Sequence, residues 1–414
     1  MPRVGMVGGG QLARMTHQAA IPLGQTLRVL AVAADDSAAL VTPDVMIGHH
    51  TDLDALRAFA AGCDVVTFDH EHVRGEHIRT LVAEGHAVYP GADALQYAQD
   101  KALMRTRLAE FGEPVPAFEV VAADDRTRTD RIVAFGEAHG WPCVVKTARG
   151  GYDGRGVWVV RAADQVATLD LPTTGQLVVE GFVPMRRELA AVVARSPFGQ
   201  AAAWPVVQTV QQDGICVEVI APAPGLADDV AAAAGRLALR IAGELGVVGV
   251  LAVELFEVDP GPDAPDGILV NELAMRPHNS GHWSMDGAVT GQFEQHLRAV
   301  LDYPLGRTDP LAPFTVMGNV LGGPADGPGS RIGMDERVHH LSARFPQVKV
   351  HLYGKACRPG RKLGHVNVLG SDLGELRRIA GLAATWLSAG VWSDGWDAHA
   401  ADARPARQEE AVLR

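Results

Sequence analysis

Residues 144–156 read VVKTARGGYDGRG, and this stretch says more about the fold than any other. An apolar run ends at Lys146, and a second apolar run, Val157–Val160, follows the last glycine. Strands on both sides of a segment rich in glycine and arginine predict a flexible cationic hairpin loop. Such a loop folds over polyphosphate, because its backbone N–H groups and guanidinium forks donate to anionic oxygens. A P-loop is not predicted, since there the lysine follows the glycines and opens a helix. The alternative is an ordinary glycine hairpin.

Two acidic residues further along the chain lie on neighbouring apolar runs. Glu254 stands inside one run and Glu272 ends the next, and the turn-rich linker 259–266 (DPGPDAPD) separates them. Two strands joined in this way pair antiparallel, which places the two acids opposite each other. Like charges are costly to bury together without a cation, and hard oxygen ligands suit Mg²⁺ bound to nucleotide phosphate. We therefore expect a metal site here, with Asn271 as a neutral oxygen donor. Two solvated acids are the alternative.

The first hundred residues alternate short apolar runs with helical patterns, which predicts a parallel sheet with crossover helices. Residues 3–7 form the first run, three glycines make a turn, and residues 11–20 have a helical pattern. The spacing Gly8-x-Gly10-x-x-Ala13 also matches the dinucleotide fingerprint. An NAD-dependent oxidoreductase is therefore a competing interpretation, alongside another phosphorylated ligand or a purely structural turn.

Polar side chains follow the predicted strands of this first sheet. Gln11 comes directly after the glycines, and Glu71 belongs to the segment 67–72 (TFDHEH) after a later strand. Ligands bind at this edge of such sheets. The acid and imidazole groups of the segment suit ribose hydroxyls or a substrate amine. For these residues a solvated, capped loop is an equally simple explanation.

Three more segments carry groups that suit a nucleotide or a phosphorylated substrate. The strand ending at Glu180 runs into Gly181–Val183, which can meet an adenine edge, and Glu188 can accept ribose hydroxyls. The loop Arg276–Trp283 (RPHNSGHW) is rich in donors and follows the predicted metal ligands. The loop Lys355–Lys362 (KACRPGRK) holds four cations, which indicates a phosphate monoester or, alternatively, a solvated basic turn.

Composition narrows the class of protein. The chain has 414 residues and a net charge of -12, which favours several globular domains and argues against a nucleic-acid partner. No apolar stretch is free enough of charges to predict a membrane span. The cysteines have neither metal nor redox spacing, so a reduced cytoplasmic compartment is expected.

Five segments occur in a recognisable order: GGGQLARM (8–15), TFDHEH (67–72), KTARGGYDGRG (146–156), NELAMRPHNSGHW (271–283) and RPGRKLGHVNV (358–368). Together they resemble the 5-(carboxyamino)imidazole ribonucleotide synthetases, which are ATP-grasp carboxylases of purine biosynthesis. The resemblance covers about Arg3 to Trp396, and GGYDGRG and RPHNSGHW are its most specific segments.

The resemblance implies a fold and a division into domains. The fold class is α/β, with an α+β central part: an ATP-grasp fold with an N-terminal doubly wound (pre-ATP-grasp) domain and a small C-terminal domain. We expect residues 1–99 to form the N-terminal domain, 100–300 the ATP-grasp domain and 301–397 the C-terminal domain. The composition of residues 398–414 predicts a mobile tail.

The resemblance also implies the reaction. ATP and bicarbonate would give carboxyphosphate and ADP. The amine of 5-aminoimidazole ribonucleotide would then take the carboxyl group, either from carboxyphosphate or from released CO2, with phosphate as the other product. Mg²⁺ is the expected metal, and Mn²⁺ suits the same ligands. The expected partners are these small molecules and a second copy of the chain in a homodimer.

Site residues carry over by matching motifs. The nucleotide would contact Lys101, Lys146, Gly151, Tyr152, Asp153, Gly154, Arg155, Gly156, Glu180, Gly181, Phe182, Val183, Glu188, Asn271 and Glu272. The metal would bind Glu254 and Glu272. The ribonucleotide would contact Gln11, Glu71, Tyr152, Asp153, Arg276, His278, Asn279, Ser280, Lys355, Arg361 and Lys362. The residues expected to act in catalysis are Lys146, Asp153, Arg155, Arg276 and His278, with Asp153 or His278 as the proton acceptor.

Some positions depart from the family pattern, and other functions stay open. Relatives often have arginine where Lys101 stands and can carry histidine where Gln211 stands. Another ATP-grasp ligase, using formate or an amino acid, would share the lysine, glycine loop and acid pair but lack RPHNSGHW and RPGRKLGHVNV. A nucleotide-binding regulatory protein without catalysis would have no need for the acid pair.

Overall fold

The computed structural model describes residues 1–122, 124–151, 156–323, 327 and 332–397. The chain divides into two compact units, Met1–Thr315 and the residues from Val316 onward. The expectations for Tyr152, Asp153, Gly154, Arg155 and the tail 398–414 lie outside the described residues. None of the helices in the described ranges is long and apolar enough to cross a membrane.

A parallel four-stranded sheet opens the first unit. Its elements are β1 (Arg3–Val7), α1 (Gln11–Ala20), β2 (Thr26–Ala31), β3 (Asp44–Ile47), α2 (Leu53–Ala60), β4 (Val65–Phe68), α3 (Gly75–Ala83) and α4 (Ala92–Gln99). The strand order is β3-β2-β1-β4, with every pairing parallel, which confirms the predicted parallel sheet. Residues on β1 and β4 are almost entirely buried, because apolar side chains face helices on both sides of the sheet.

The glycine turn after β1 is filled by the chain itself. Gly8 has φ +111°, and a Cβ there would lie 1.7 Å from Asp69 Oδ1. The N–H of Gly10 donates to Asp69 Oδ2 at 2.6 Å. The start of α1, where a dinucleotide pyrophosphate would bind, thus holds the chain's own carboxylate. The glycines are explained by this contact, and the oxidoreductase interpretation loses its main support.

The rest of the first unit is built on two antiparallel sheets. Its elements are α5 (Lys101–Glu110), β5 (Phe118–Ala122), α6 (Arg128–His139), β6 (Cys143–Thr147), β7 (Val157–Val160), α7 (Ala163–Val166), β8 (Gln176–Gly181), β9 (Arg187–Arg195), β10 (Ala201–Ala203), β11 (Val207–Gln212), β12 (Ile215–Ala221), α8 (Asp228–Glu244), β13 (Gly249–Glu257), β14 (Ile268–Ala274), a 3₁₀ turn (Asn279–Gly281), α9 (Ser284–Gly287) and α10 (Gln292–Val300). The smaller sheet has the order β5-β8-β6-β7. The larger has the order β14-β13-β9-β11-β12, with β10 beside β9.

The predicted hairpin of the two acidic residues is confirmed. β13 and β14 pair antiparallel, and Glu254 lies directly opposite Glu272. A bulge after Glu254 shifts the register, so that Leu255 pairs with Val270. The bulge bends the strand next to the acid pair.

Helix α8 covers the larger sheet with a stripe of small and aliphatic side chains. Its buried residues recur at helical spacing: Ala233, Ala234, Leu237, Ala238, Ile241 and Ala242. They pack against β9 and β13. The helix ends before Gly246, whose φ of +63° is one that residues with a side chain rarely adopt. This packing holds β13 rigid beneath the acid pair.

The second unit is a smaller layer of strands and helices. Its elements are β15 (Phe314–Leu321, which begins at the boundary), α11 (Met334–Arg344), β16 (Lys349–Leu352), β17 (Lys362–Gly370) and α12 (Leu373–Ala389). β16 pairs antiparallel with β17, and α12 packs against β17. The side chain of Asp372 caps the start of α12, and Gly390 at φ +64° ends it.

Candidate functional site

A buried cluster of three charged side chains lies where β6, β8 and α5 meet. Lys146 Nζ is 2.7 Å from Glu180 Oε2, and Arg105 Nε donates to Glu180 Oε1 at 2.8 Å. Glu180 is 3% exposed and Arg105 is fully buried. Burial opposes the ionisation of Glu180, but Arg105 and Lys146 together lower its pKa to about 2. Burial lowers the pKa of Lys146, and Glu180 opposes this shift. With Lys146 protonated, the cluster of two cations and one anion carries a net positive charge.

Two further contacts join the smaller sheet and helix α5 to the larger sheet. Lys146 Nζ lies 3.4 Å from Asn271 Oδ1 on β14, and Lys101 Nζ lies 2.5 Å from Glu272 Oε1 on the same strand. Lys101 is the first residue of α5, and the side chain of Asp100 caps that helix. The cationic cluster and the acid pair thus face each other across the space between the two sheets.

The acid pair keeps part of its surface exposed. The side chains of Glu254 and Glu272 are 29% and 39% exposed. Glu254 Oε1 lies 3.4 Å from His278 Nε2. Among the described residues, no group of three or more His, Cys, Asp or Glu side chains is arranged to hold a metal ion. Two carboxylates and an amide oxygen fit a hard cation that takes its other ligands from nucleotide phosphate and water.

The loop after β14 meets the first sheet through one buried ion pair. Arg276 Nε lies 2.7 Å from Glu71 Oε2, and the two side chains are 24% and 15% exposed. Burial alone would lower the pKa of Arg276, but Glu71 and, more weakly, Asp69 and Glu254 raise it above its ordinary value. A permanent cation is thus held beside Glu71, at the carboxyl end of β4. Gln99 fixes the backbone of Glu71 from below, because its Nε2 donates to the carbonyl oxygen of Glu71 at 2.7 Å.

His278 is oriented by its own loop. Its side chain accepts from the N–H of Ser280, at the start of the 3₁₀ turn, and its Nδ1 lies 2.9 Å from Ser280 Oγ. These contacts turn the other ring nitrogen, Nε2, toward Glu254. Asn279 lies between His278 and Ser280 and begins the 3₁₀ turn.

The predicted nucleotide edge lies at the end of β8. Phe182 is 49% exposed, and Val183 packs with Val258 and Phe256. Glu188 on β9 is half-buried and is hydrogen-bonded to Gln211, one of the positions that depart from the family pattern. Burial raises the pKa of Glu188, and the bond from Gln211 partly offsets this rise.

Hydrogen bonds hold the described residues at both ends of the glycine-rich loop. The N–H of Thr147 donates to the carbonyl oxygen of Gly156 at 2.9 Å, and Gly156 has φ +69°. Arg149 Nε donates to Asp100 Oδ2 at 2.7 Å. Gly151 is half-buried at the near end of the loop. The four residues between Gly151 and Gly156 were expected to contact the nucleotide or the ribonucleotide, and they lie outside the described residues.

Three predicted phosphate ligands belong to the second unit. Lys355 and Arg361 lie on the loop between β16 and β17, and Lys362 begins β17. The ammonium of Lys355 lies 5.9 Å from the ring centre of Tyr353, a buried residue bonded to His365. In the first unit, Gln11 is the first residue of α1.

Sequence reasoning missed Arg105, which bonds Glu180 from the buried side. Lys101 and Arg105 are one helical turn apart, and this spacing was available as a signal because residues four apart share a face. Asp69 belongs to the polar segment 67–72, but its bond to the glycine turn was not predicted. Neither residue type is distinctive without the partner that the fold supplies.

Family models match three parts of the chain. Residues 1–99 match the ribonucleotide synthetase preATP-grasp domain, residues 106–293 the ATP-grasp domain, and residues 315–379 the phosphoribosylaminoimidazole carboxylase C-terminal domain. The expected fold class is thereby confirmed.

Similar proteins have closely related names. N5-carboxyaminoimidazole ribonucleotide synthase from Mycobacterium leprae is 61% identical, over 97% of this chain and 92% of that protein. The crystal structure of N5-carboxyaminoimidazole ribonucleotide synthetase from Thermus thermophilus has a TM-score of 0.80 and 34% identity, over 95% of this chain and 100% of that one. The Aspergillus clavatus synthase, solved with ADP and 5-aminoimidazole ribonucleotide, has a TM-score of 0.80 and 29% identity, over 93% and 98%.

Proposed function

The chain belongs to the family of N5-carboxyaminoimidazole ribonucleotide synthases, and from this we propose that it carboxylates 5-aminoimidazole ribonucleotide in an ATP-dependent reaction. Bicarbonate supplies the carboxyl group, and ADP and phosphate are released. The observation that carries the proposal is the meeting of three groups of side chains in the first unit. These are the buried cation cluster, the acid pair, and the Arg276–Glu71 ion pair.

ATP binds between the two antiparallel sheets in this proposal. Lys146 and Lys101 contact its phosphates, because they are the cations that reach the gap from β6 and α5. Residues Glu180–Val183 meet the adenine, and Glu188 holds the ribose. Asn271 and the glycine loop Gly151–Gly156, including Tyr152, Asp153, Gly154 and Arg155, complete the nucleotide site.

Mg²⁺ is the metal that we propose at Glu254 and Glu272, and Mn²⁺ suits the same ligands. Mg²⁺ commonly binds one or two carboxylates together with substrate phosphates, and the partial exposure of both acids fits this mode. When bound, the metal neutralises charge on the phosphates. Lys101 would then lose Glu272 as its partner and turn its ammonium toward the nucleotide.

The ribonucleotide binds at the edge of the first sheet. Arg276, Glu71 and Gln11 come from three segments that meet there, and His278, Asn279 and Ser280 follow Arg276 on one loop. We assign Lys355, Arg361 and Lys362 to phosphate binding, because a basic loop in a chain of net charge -12 suits a phosphate monoester. Tyr152 and Asp153 complete this set.

The chemistry needs positioning and charge neutralisation more than covalent catalysis. A bicarbonate oxygen attacks the γ-phosphorus, the bond to the ADP oxygen breaks, and carboxyphosphate forms. Lys146 and Arg155 offset the negative charge of the transferring group. The exocyclic amine then takes the carboxyl carbon, either from carboxyphosphate with loss of phosphate or from the CO2 that carboxyphosphate releases together with phosphate, and Asp153 or His278 accepts the amine proton.

Labelled bicarbonate provides the test. Wild-type enzyme with ATP, Mg²⁺, [¹⁴C]bicarbonate and 5-aminoimidazole ribonucleotide should form an acid-labile labelled ribonucleotide, with one ADP released for each label incorporated. Omission of ATP is the matched control and should abolish incorporation. Full release of ADP without incorporation of label into the ribonucleotide would contradict the proposal.

Three broader features belong to the same proposal. The domains are 1–99, 100–300 and 301–397, followed by the tail. The enzyme acts in the cytoplasm as a homodimer. Sedimentation velocity would then give about twice the 43.8 kDa mass of the chain, and a monomer at micromolar concentration would contradict the dimer.

A further inference from the structure

Gln292, the first residue of α10, lies buried beneath the loop that carries Arg276 and His278. Its side-chain carbonyl accepts from the backbone N–H of His278 at 2.9 Å. Its amide nitrogen donates to the backbone carbonyl oxygen of the same residue at 2.8 Å. One carboxamide therefore holds both polar groups of a single backbone position, as a neighbouring strand would.

The remaining N–H of Gln292 is also committed. Nε2 lies 2.8 Å from Nδ1 of His282, a residue that is 2% exposed. With one hydrogen on the carbonyl of His278 and the other on His282, the partners define the orientation of the carboxamide. A buried polar group whose bonds are all made is rigid, and a buried polar group that lost them would be costly.

The neighbouring residues are small where Gln292 passes. A Cβ on Gly281 would lie 2.4 Å from Gln292 Oε1, so a side chain there would displace the carboxamide of Gln292. Ser284 Oγ accepts from the backbone N–H of Gln292 at 2.9 Å and donates to the carbonyl of Gly281 at 2.6 Å. The loop and the start of α10 thus form one closed hydrogen-bond network centred on Gln292.

We infer that Gln292 is a positioning residue for the ribonucleotide. Its carboxamide fixes the backbone at His278, and through it the direction of His278 toward Glu254 and of Arg276 toward Glu71. The side chain is fully buried and acts through the loop above it. The inference rests on the proposed function, because Arg276 and His278 contact the ribonucleotide only in that proposal.

The same helix offers a matched control. Gln295 is as buried as Gln292, and its carboxamide makes the same pair of bonds, both at 2.8 Å, to the backbone N–H and carbonyl of Gly306. Gly306 lies outside the proposed site. Removing either carboxamide removes two comparable hydrogen bonds to the backbone. Only the loss at Gln292 affects the loop that carries Arg276 and His278.

The experiment compares Gln292→Met and Gln295→Met in steady-state turnover, with the ribonucleotide and then ATP as the varied substrate. For Gln292→Met we expect kcat/KM for the ribonucleotide to fall roughly ten- to a hundredfold, with the KM for ATP near the wild-type value. For Gln295→Met we expect both KM values to stay near wild type, with a comparable loss of thermal stability. Gln292→Glu, which keeps the length and the acceptor oxygen but removes both donors, should give the same split.

Two results would overturn the inference. One is a folded Gln292 variant whose kinetics match those of Gln295→Met or whose two KM values rise equally. The other is failure of both Gln292 variants to fold while Gln295→Met folds, which would limit Gln292 to fold stability. A separate outcome is wild-type turnover of ATP that does not depend on the ribonucleotide. That result would contradict the proposed function and this inference together.

Discussion

At the scale of single residues, the charge of the buried cluster depends on Arg105. Glu180 is bonded by Arg105 through one oxygen and by Lys146 through the other. Without Arg105, the cluster would contain one cation and one anion, and Lys146 would be neutralised by Glu180. A lysine paired in this way attracts nucleotide phosphate less strongly, so a residue buried behind the site governs the charge at its surface.

Replacing Arg105 by methionine tests this dependence. We expect the KM for ATP to rise at least about tenfold, and the unfolding free energy to fall by roughly 3 kcal/mol, because one partner of a buried ion pair is lost. Arg107→Met on the same helix is the control, since Arg107 pairs with Glu110 at the surface. An ATP KM equal to that of the control would rule out the charge argument.

The acid pair yields a second prediction for a single residue. Glu272→Gln should lower kcat about a hundredfold or more, because the proposed metal ligand and the partner of Lys101 are lost together. Thermal stability should change little, since the side chain is 39% exposed. Glu294→Gln, which alters a surface pair on α10, is the matched control. Normal turnover of Glu272→Gln would remove the metal assignment.

Sequence patterns identified the residues that we propose for the site and missed the buried residues that hold them in place. Lys146, Glu254, Glu272 and Arg276 stand in unusual local contexts, such as an acid within an apolar strand. Arg105 and Gln292 occupy ordinary helical positions, and what distinguishes them is a partner more than a dozen residues away in the chain. Contacts of that kind follow from the tertiary fold and not from local spacing.

At the scale of elements, one buried imidazole connects the first sheet to the larger antiparallel sheet. His296 on α10 lies 2.8 Å from Thr67 Oγ1 on β4 through Nε2, and its Nδ1 accepts from the N–H of Val250 on β13 at 3.1 Å. β4 leads to Glu71 and β13 carries Glu254. The position of the two strands relative to each other therefore depends on a neutral histidine at this point.

This contact makes the stability of the protein sensitive to acid. Burial lowers the pKa of His296 to about 4, against about 6.5 in the unfolded chain. Between these values the unfolded chain binds the proton and the folded chain does not, so stability falls as the pH drops from about 6.5 toward 4, by roughly 3 kcal/mol for this residue.

Thermal unfolding of wild type and His296→Gln across that pH range provides the measurement. Glutamine keeps a donor and an acceptor but does not titrate, so the variant should lose less stability between pH 6.5 and 4. It should be the less stable protein at pH 7, because the fit of the ring is lost. Equal pH dependence in the two proteins would contradict a neutral His296.

Elements with strong local signals were predicted well, and one hairpin was overlooked. The parallel strands and the acidic hairpin follow from hydrophobic periodicity and turn residues. The hairpin β11–β12 was missed, although its turn Asp213-Gly214 has φ of +52° and +77° and is a favoured two-residue hairpin turn. β11 is mostly polar (VQTVQQ) and β12 is almost wholly apolar (ICVEVIA), so neither strand shows the regular alternation that would have identified it.

At the scale of the whole molecule, segments distant in sequence contribute side chains to one proposed site. Within the first unit, Glu71, Lys146, Glu272 and Arg276 come together from the edge of the first sheet, β6, β14 and the loop after it. Each local pattern predicted a phosphate, a metal or a polar ligand. The prediction of a single reaction came from the order in which five motifs occur along the chain. No single segment contains that information.

The most direct test of the central claim is ADP release from Mg·ATP and bicarbonate, with and without 5-aminoimidazole ribonucleotide. We expect the ribonucleotide to stimulate ADP release strongly, with an equal loss of its free amine, because the amine is the proposed acceptor of the activated carboxyl group. ATP turnover at the same rate with and without the ribonucleotide would contradict the claim.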